Sequence, residues 1–87
     1  MKVGDIVRQR YQSGAGRRLV LGFGPALGTF ICYDTQEDRF MAGHTWSHDV
    51  IEEATPETIR SAQFYMRNPA VQQELARWFW AELPSGT

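Results

Sequence analysis

The spacing of apolar residues changes once along this chain, at Thr55-Pro56. Before that point, short runs of β-branched and aromatic residues alternate with turn-forming Gly, Pro, Asp and Ser, which predicts strands. After it, apolar residues recur at the spacing of a helix face. Because 87 residues make one domain, the change predicts an α+β fold with a β part at 1–54, a helical part at 55–83 and a tail at 84–87.

The β part contains five predicted strands, separated by Gly- and Asp-rich turns. They lie at 3–11 (after an initial turn), 17–23, 29–33, 39–46 and 50–54. Their short, regular spacing predicts a five-stranded antiparallel barrel-like sheet followed by two C-terminal helices. Because side chains alternate along a strand, Leu19, Leu21 and Phe23 are expected to share one face of the second strand.

Two helix starts carry the same signal, a capping residue followed by proline. Thr55-Pro56 begins the first helix, which is expected to end near Arg67, and Asn68-Pro69 begins the second, expected to reach residue 83. A chain this short buries only about 60% of its unfolded surface. We therefore expect the second helix to close the sheet by its apolar stripe.

The second helix carries three consecutive rings, Trp78, Phe79 and Trp80. Three successive residues span about 200° of a helix, so a small sheet covers only part of them. Phe79 is expected to face the sheet, with Trp78 and Trp80 on its two flanks. Exposed Trp residues dominate binding hot spots, which favours use of this region in self-association or in binding a partner protein.

Charge is segregated along the sequence. Residues 1–24 carry a net charge of +4 and residues 34–57 a net charge of −6. Two outcomes are open: the basic strands neutralise the acidic ones in the sheet, or the protein has a bipolar surface. An exposed basic surface would serve nucleic-acid binding, and its candidate residues are Arg8, Arg10, Tyr11, Arg17 and Arg18.

No residue pattern points to catalysis. Cys32, the single cysteine, is expected to be a small buried hydrophobe because it alternates with Phe30 on a strand. His44 and His48 lack a fixed third partner for a metal, with His44 expected on a polar strand face and His48 in a turn. We therefore expect no enzymatic activity, no metal, no cofactor and no small-molecule substrate.

The N-terminal residues lack an apolar signal segment, and no apolar run approaches the roughly 20 residues of a membrane span. We therefore expect a cytoplasmic protein that makes no membrane contact.

The first 54 residues resemble a small Src-homology-type β-barrel, the shape shared by KOW and Tudor-like modules. The likeness is carried by Val3-Gly4-Asp5-Ile6-Val7, by the glycine-bounded second and third strands, and by the run from Trp46 to Ile51. Short uncharacterised proteins of bacteriophages and mobile elements have a similar opening and ending. The resemblance implies a non-enzymatic binding module and assigns no catalytic residue.

The favoured function is that of a small protein-interaction module of phage or mobile-element type, an inhibitor or adaptor that binds a host protein. Homodimerisation through the C-terminal helix is the other form of contact that the sequence suggests. The expected contact residues are Trp80, Trp78, Phe64 and Tyr65, with the acidic run Asp34, Glu37 and Asp38 as a second, electrostatic contact. The alternative is nucleic-acid binding through the basic N-terminal strands.

Overall fold

The computed structural model describes residues 1–11, 16–24 and 26–77. Five antiparallel strands form one sheet, in the order β4-β3-β2-β1-β5. The strands are β1 (Ile6–Gln9), β2 (Arg18–Phe23), β3 (Thr29–Asp34), β4 (Arg39–His44) and β5 (His48–Glu52). Two helices follow, α1 (Pro56–Met66) and α2 (Pro69–Leu75). The predicted α+β order of five strands and then two helices is confirmed.

Both helices begin as predicted. The Thr55 side chain accepts the Thr58 N–H at 3.2 Å, and the Thr58 hydroxyl accepts the Thr55 N–H at 2.8 Å. This reciprocal pair satisfies two N–H groups that a helix start leaves unbonded. At α2 the Asn68 side chain accepts the Ala70 N–H at 2.9 Å. The prediction that this helix continues to residue 83 concerns positions beyond 77, which lie outside the described residues.

The sheet is open rather than closed into a barrel. Its edge strands β4 and β5 do not pair with each other in the described part of the chain. They nevertheless approach closely, since a Cβ built on Gly43 of β4 would lie 3.0 Å from Cε1 of His48 in β5. Opposite edges meet in this way only if the sheet bends strongly. The 3-10 turn Thr45–Ser47 joins them.

Each face of the sheet carries a buried cluster. The helix-facing side packs Leu19, Leu21 and Ile31 against Ala62 of α1 and Val71 of α2. The concave side encloses a second cluster, formed by Val7, Val20, Phe30 and Cys32. The prediction that Cys32 is a buried small hydrophobe is confirmed. The buried apolar side chains of this short chain are therefore divided between two small clusters instead of forming one larger core.

A bulge in β2 corrects the predicted face of Phe23. The register shifts between Val20 and Gly22, so that Phe23 pairs with Phe30. An extra residue in one strand moves all later side chains to the opposite face. Phe23 therefore leaves the side of Leu19 and Leu21 and is half exposed.

The connection between β4 and β5 also differs from the prediction. The fourth strand ends at His44 instead of residue 46, and the fifth begins at His48 instead of residue 50. The prediction that His48 is a turn residue is wrong, because it opens β5 opposite Gln9 and is buried.

Within the described range, neither helix has the length and apolar character needed to cross a bilayer.

Candidate protein-binding groove

An open groove of about 780 Å³ lies between β4 and the chain around α2. β4 contributes residues 39–42, and Asn68, Ala70, Gln73 and Arg77 face them from the other side. Clefts that bind ligands have volumes in this range. Successive side chains of a strand point to opposite faces, so a groove that touches every residue from 39 to 42 follows the edge of the strand.

Three rings join the groove to the helical layer. Tyr33 of β3 stacks on Tyr65 of α1 with ring centres 4.9 Å apart, and Phe40 of β4 lies 5.3 Å from Tyr33 and 5.8 Å from Tyr65. The Tyr33 hydroxyl donates to the Asp38 carboxylate, and this hydrogen bond is the main reason that the pKa of Tyr33 rises to about 12. Packed rings give this wall a fixed shape.

The edge of β4 presents unpaired backbone groups to the groove. The Thr45 N–H donates to the Gly28 carbonyl at 2.8 Å, and this pair continues the β3–β4 register. Hydrogen-bonded and non-hydrogen-bonded pairs alternate in an antiparallel ladder. Met41 and Gly43 therefore bond to β3, whereas the N–H and C=O groups of Phe40 and Ala42 point away from it.

The hydrogen bonds on the other side of β3 lead to the same assignment. Gly24 N–H donates to the Thr29 carbonyl, and Thr35 N–H donates to the Arg17 carbonyl. Alternation along β3 then directs the backbone of Phe30 and Cys32 toward β4, opposite Gly43 and Met41.

The opposite edge of the sheet is protected in a way that β4 is not. β5 carries Asp49 and Glu52, and Glu53 follows it. Charged side chains along an edge strand discourage pairing with another chain. The stretch at 40–43 is Phe-Met-Ala-Gly and has no charge. Among the described residues, β5 thus carries two carboxylates within the strand, whereas β4 has Arg39 at its start and then the uncharged stretch 40–43, which borders the groove.

The structure separates the three residues of the predicted acidic contact. Asp34 is 2% exposed and its carboxylate binds Arg18, with 3.0 Å between Nε and Oδ2. The prediction that Asp34 is an exposed contact residue is therefore corrected. Its carboxylate holds Arg18 inside the protein. Glu37 is exposed and pairs with Arg39 at 2.7 Å, and Asp38 lines the groove. Only the last two remain accessible.

Arg18, a candidate for nucleic-acid binding, is also inside the protein. It is 9% exposed and lies on the concave side of the sheet, opposite Asp34 in the β2–β3 register. Its Nη1 is 2.8 Å from Nε2 of His48. The Arg18 guanidinium is therefore buried and already bound to Asp34 and His48, rather than displayed on the protein surface.

The other basic candidates are mostly neutralised by neighbours. Arg10 binds Asp49 through Nε at 3.1 Å and Nη2 at 2.9 Å, and Arg17 pairs with Glu52. Arg8 is exposed and lies opposite Asp49 in the β1–β5 register. Of the two outcomes left open by the sequence, the described residues favour neutralisation between neighbouring strands.

The remaining candidates are aromatic. Phe64 is 69% exposed on α1, whereas Tyr65 is partly buried in the ring cluster and lines the groove. Tyr11 is exposed, with the Arg10 guanidinium 5.8 Å from its ring centre. Trp78 and Trp80 lie outside the described residues, and their use in binding stays a prediction.

Sequence reasoning missed the edge residues Phe40 and Ala42 as well as the α2 side of the groove. A signal was present, since 40–43 is an uncharged stretch that follows the charged turn at 37–39. The order of strands in the sheet decides whether such a stretch is central or at an edge. This order cannot be read from the spacing of residues along a single strand.

No protein-family model, no curated protein and no solved structure matches this chain.

Proposed function

We propose that this protein is a non-enzymatic protein-interaction module that binds an extended segment of a partner protein along the free edge of β4. The observation that carries this proposal is the set of outward-facing N–H and C=O groups of Phe40 and Ala42. They bound a groove and have no hydrogen-bond partner among the described residues. A strand from another protein can form hydrogen bonds with such N–H and C=O groups, and several classes of peptide-binding domain recognise their ligands in this way.

The shape of the groove supports an extended occupant. A strand rises about 3.3 Å per residue, so residues 39–42 offer an edge of about 13 Å for pairing. The backbone of the partner supplies hydrogen bonds, and alternate side chains contact the groove walls. On the helical side these walls combine the Tyr65 ring and Ala70 with the polar side chains Asn68, Gln73 and Arg77, so a bound segment would contact both apolar and polar groups.

The lining residues support a binding role over catalysis. None of the described lining residues is a serine, cysteine or histidine. The Tyr33 hydroxyl lies beside the Asp38 carboxylate, but its pKa is raised to about 12, which disfavours its use as a nucleophile. An inhibitor or adaptor of phage or mobile-element type, whose β part resembles a Src-homology-type barrel, would act by occupying a surface on a host protein. Binding by strand addition requires no catalytic residue in this protein.

Nucleic-acid binding is the weaker candidate. Affinity for a phosphate backbone depends on free Lys and Arg side chains. Arg18 is buried, and Arg10 and Arg17 already pair with the protein's own carboxylates. Binding to random oligonucleotides at low salt would revive this alternative.

The proposal is tested with random peptides displayed on phage and selected on the full-length protein. Selected peptides are then measured against two proline variants, Ala42→Pro and Val50→Pro. Proline removes an N–H and is tolerated at the edges of sheets. Ala42→Pro blocks the free edge of β4, whereas Val50→Pro removes an outward N–H from the other edge strand and serves as the matched control.

We expect the selected peptides to bind the wild type and Val50→Pro alike and to lose more than about tenfold in affinity for Ala42→Pro, the loss of at least 1.4 kcal/mol that one hydrogen bond and a steric block produce. Circular dichroism establishes that both variants are folded. Equal binding to Ala42→Pro would place the peptide elsewhere and refute the proposal.

A further inference from the structure

The side chain of His48 is enclosed at the point where the two edge strands meet. It is 6% exposed, and the Phe30 ring approaches it edge-on with ring centres 4.9 Å apart. A Cβ built on Gly43 would lie 3.0 Å from its Cε1, so any side chain at residue 43 would crowd the imidazole. The ring thus fills the gap between β4 and β5.

Both ring nitrogens of His48 are engaged. Nε2 lies 2.8 Å from Nη1 of Arg18. A guanidinium group only donates hydrogen bonds, so Nε2 must accept and carries no hydrogen. The hydrogen therefore lies on Nδ1, which is 2.9 Å from the His44 carbonyl oxygen and 3.0 Å from Oγ of Ser47. The buried ring is neutral and has a single tautomer.

A second proton on His48 has no acceptor. It would sit on Nε2 and point at the Arg18 guanidinium, which brings two donors and two positive charges together in a buried site. The carboxylate of Asp34 on β3, which could compensate, is already bound to Arg18 and to the N–H groups of Gln36 and Glu37.

The other charged groups around His48 do not supply an acceptor. Asp49 follows it on β5 and is engaged by Arg10 of β1. Arg8 of β1 lies opposite Asp49 in the register, and His44 at the end of β4 adds a second imidazole nearby. Burial lowers the pKa of His48, with the charge of Arg18 acting in the same direction and the bond to the His44 carbonyl acting against them.

We propose that His48 is an acid-sensitive latch, whose neutral ring holds the Thr45–Ser47 turn and the start of β5 against the sheet and whose protonation releases them. Protonation removes the acceptor at Nε2 and so breaks the bond to Arg18. The bond from Nδ1 to the His44 carbonyl is lost when the charged ring leaves its buried site. The released turn carries Trp46, an exposed ring that stacks on the His44 side chain with centres 4.2 Å apart.

The direction of the pH effect follows from linkage. The latch is fully closed above the ordinary histidine pKa of 6.5, because neither the closed nor the open state then holds the extra proton. Below this value the open state binds a proton that the closed state resists, so acid shifts the equilibrium toward opening. This device is independent of the groove and would operate with or without a bound partner.

The test is an NMR titration of the full-length protein from pH 8 to pH 4.5. The chain has two histidines, so their ring signals are resolved by comparing His44→Gln and His48→Gln with the wild type. We expect His48 to remain neutral with its hydrogen on Nδ1 at pH 7 and to gain a proton only below pH 6.5. The amide signals of Thr45–Ser47 should shift with the same midpoint.

His48→Gln retains a carbonyl acceptor and an amide donor but does not titrate. We expect it to abolish the midpoint at Thr45–Ser47, whereas His44→Gln retains it. A hydrogen on Nε2, ordinary titration of His48, or a turn transition that persists in His48→Gln would each overturn the proposal. If His48→Gln does not fold, the tautomer and titration of the wild-type ring still decide the matter.

Discussion

Replacing Asp34 with alanine removes the centre of the buried polar network. Its Oδ2 accepts from Nε of Arg18 at 3.0 Å, and its Oδ1 accepts the N–H groups of Gln36 and Glu37 at 2.9 Å each. After the substitution the Arg18 guanidinium, whose side chain is 11% exposed, keeps its charge but loses its carboxylate. The change thus leaves a buried, uncompensated cation.

The expected loss is about 3–5 kcal/mol, the cost of removing one partner of a buried ion pair. An 87-residue domain has a total free energy of unfolding of about 4–13 kcal/mol at typical values per residue. One substitution is therefore expected to remove a large share of the stability. Urea unfolding followed by far-ultraviolet circular dichroism measures this loss.

Glu37→Ala is the matched control, because Glu37 belongs to the same acidic run. Its side chain is 53% exposed and pairs with exposed Arg39, so we expect a loss below about 1 kcal/mol. Similar, small losses in both variants would refute the reasoning, since Asp34 would then behave as a surface acid.

The pH dependence adds a second check on Asp34. Burial by itself would raise the pKa of this carboxyl, but hydrogen bonds from Glu37, Arg18 and Gln36 outweigh burial and hold the pKa below its usual 3.8. A depressed pKa means that the stabilisation is present above 3.8 and is lost as pH falls through the lower value of the folded state. The stability gap between the wild type and Asp34→Ala should therefore narrow in strong acid.

Three further predictions concern other parts of the chain. Cys32 is fully buried, and burial raises its pKa to about 12, so iodoacetamide at neutral pH should label it only in urea; rapid labelling of the folded protein would contradict its burial. Gly4 has a φ of 93°, and an added Cβ would lie 2.8 Å from Cγ1 of Ile59. Gly4→Ala should cost about 1–3 kcal/mol, measured as a lower Tm, and an unchanged Tm would contradict this packing. From the sequence alone, Trp80→Ala should weaken association and leave folding intact, while Phe79→Ala should cost about 3–5 kcal/mol; unfolding of Trp80→Ala would contradict the expected surface position.

Local patterns predicted the elements of this fold well, because caps and alternation are local. Both helices begin at the predicted pairs of capping residue and proline, Thr55-Pro56 and Asn68-Pro69. The bulge between Val20 and Gly22 was missed, since a single inserted residue leaves no clear trace in composition. It reverses the face of Phe23 and so changes which rings are buried.

The candidate site was predicted less well, because it depends on register and strand order. Asp34 looked like a member of an acidic turn and Arg18 like a member of a basic strand. The β2–β3 register places them opposite each other on the concave side, where His48 completes the network. The free edge of β4 likewise follows from its outer position in the sheet, which no residue of β4 determines alone.

Amide hydrogen exchange along β4, measured by NMR on dilute full-length protein, tests the free edge most directly. Met41 and Gly43 bond to β3 and should exchange slowly, whereas the outward N–H groups of Phe40 and Ala42 should exchange fast. Addition of a selected peptide should then protect Phe40 and Ala42. If these two amides are as protected as Met41 and Gly43 before any peptide is added, the edge is already covered and the proposed mode of binding is wrong.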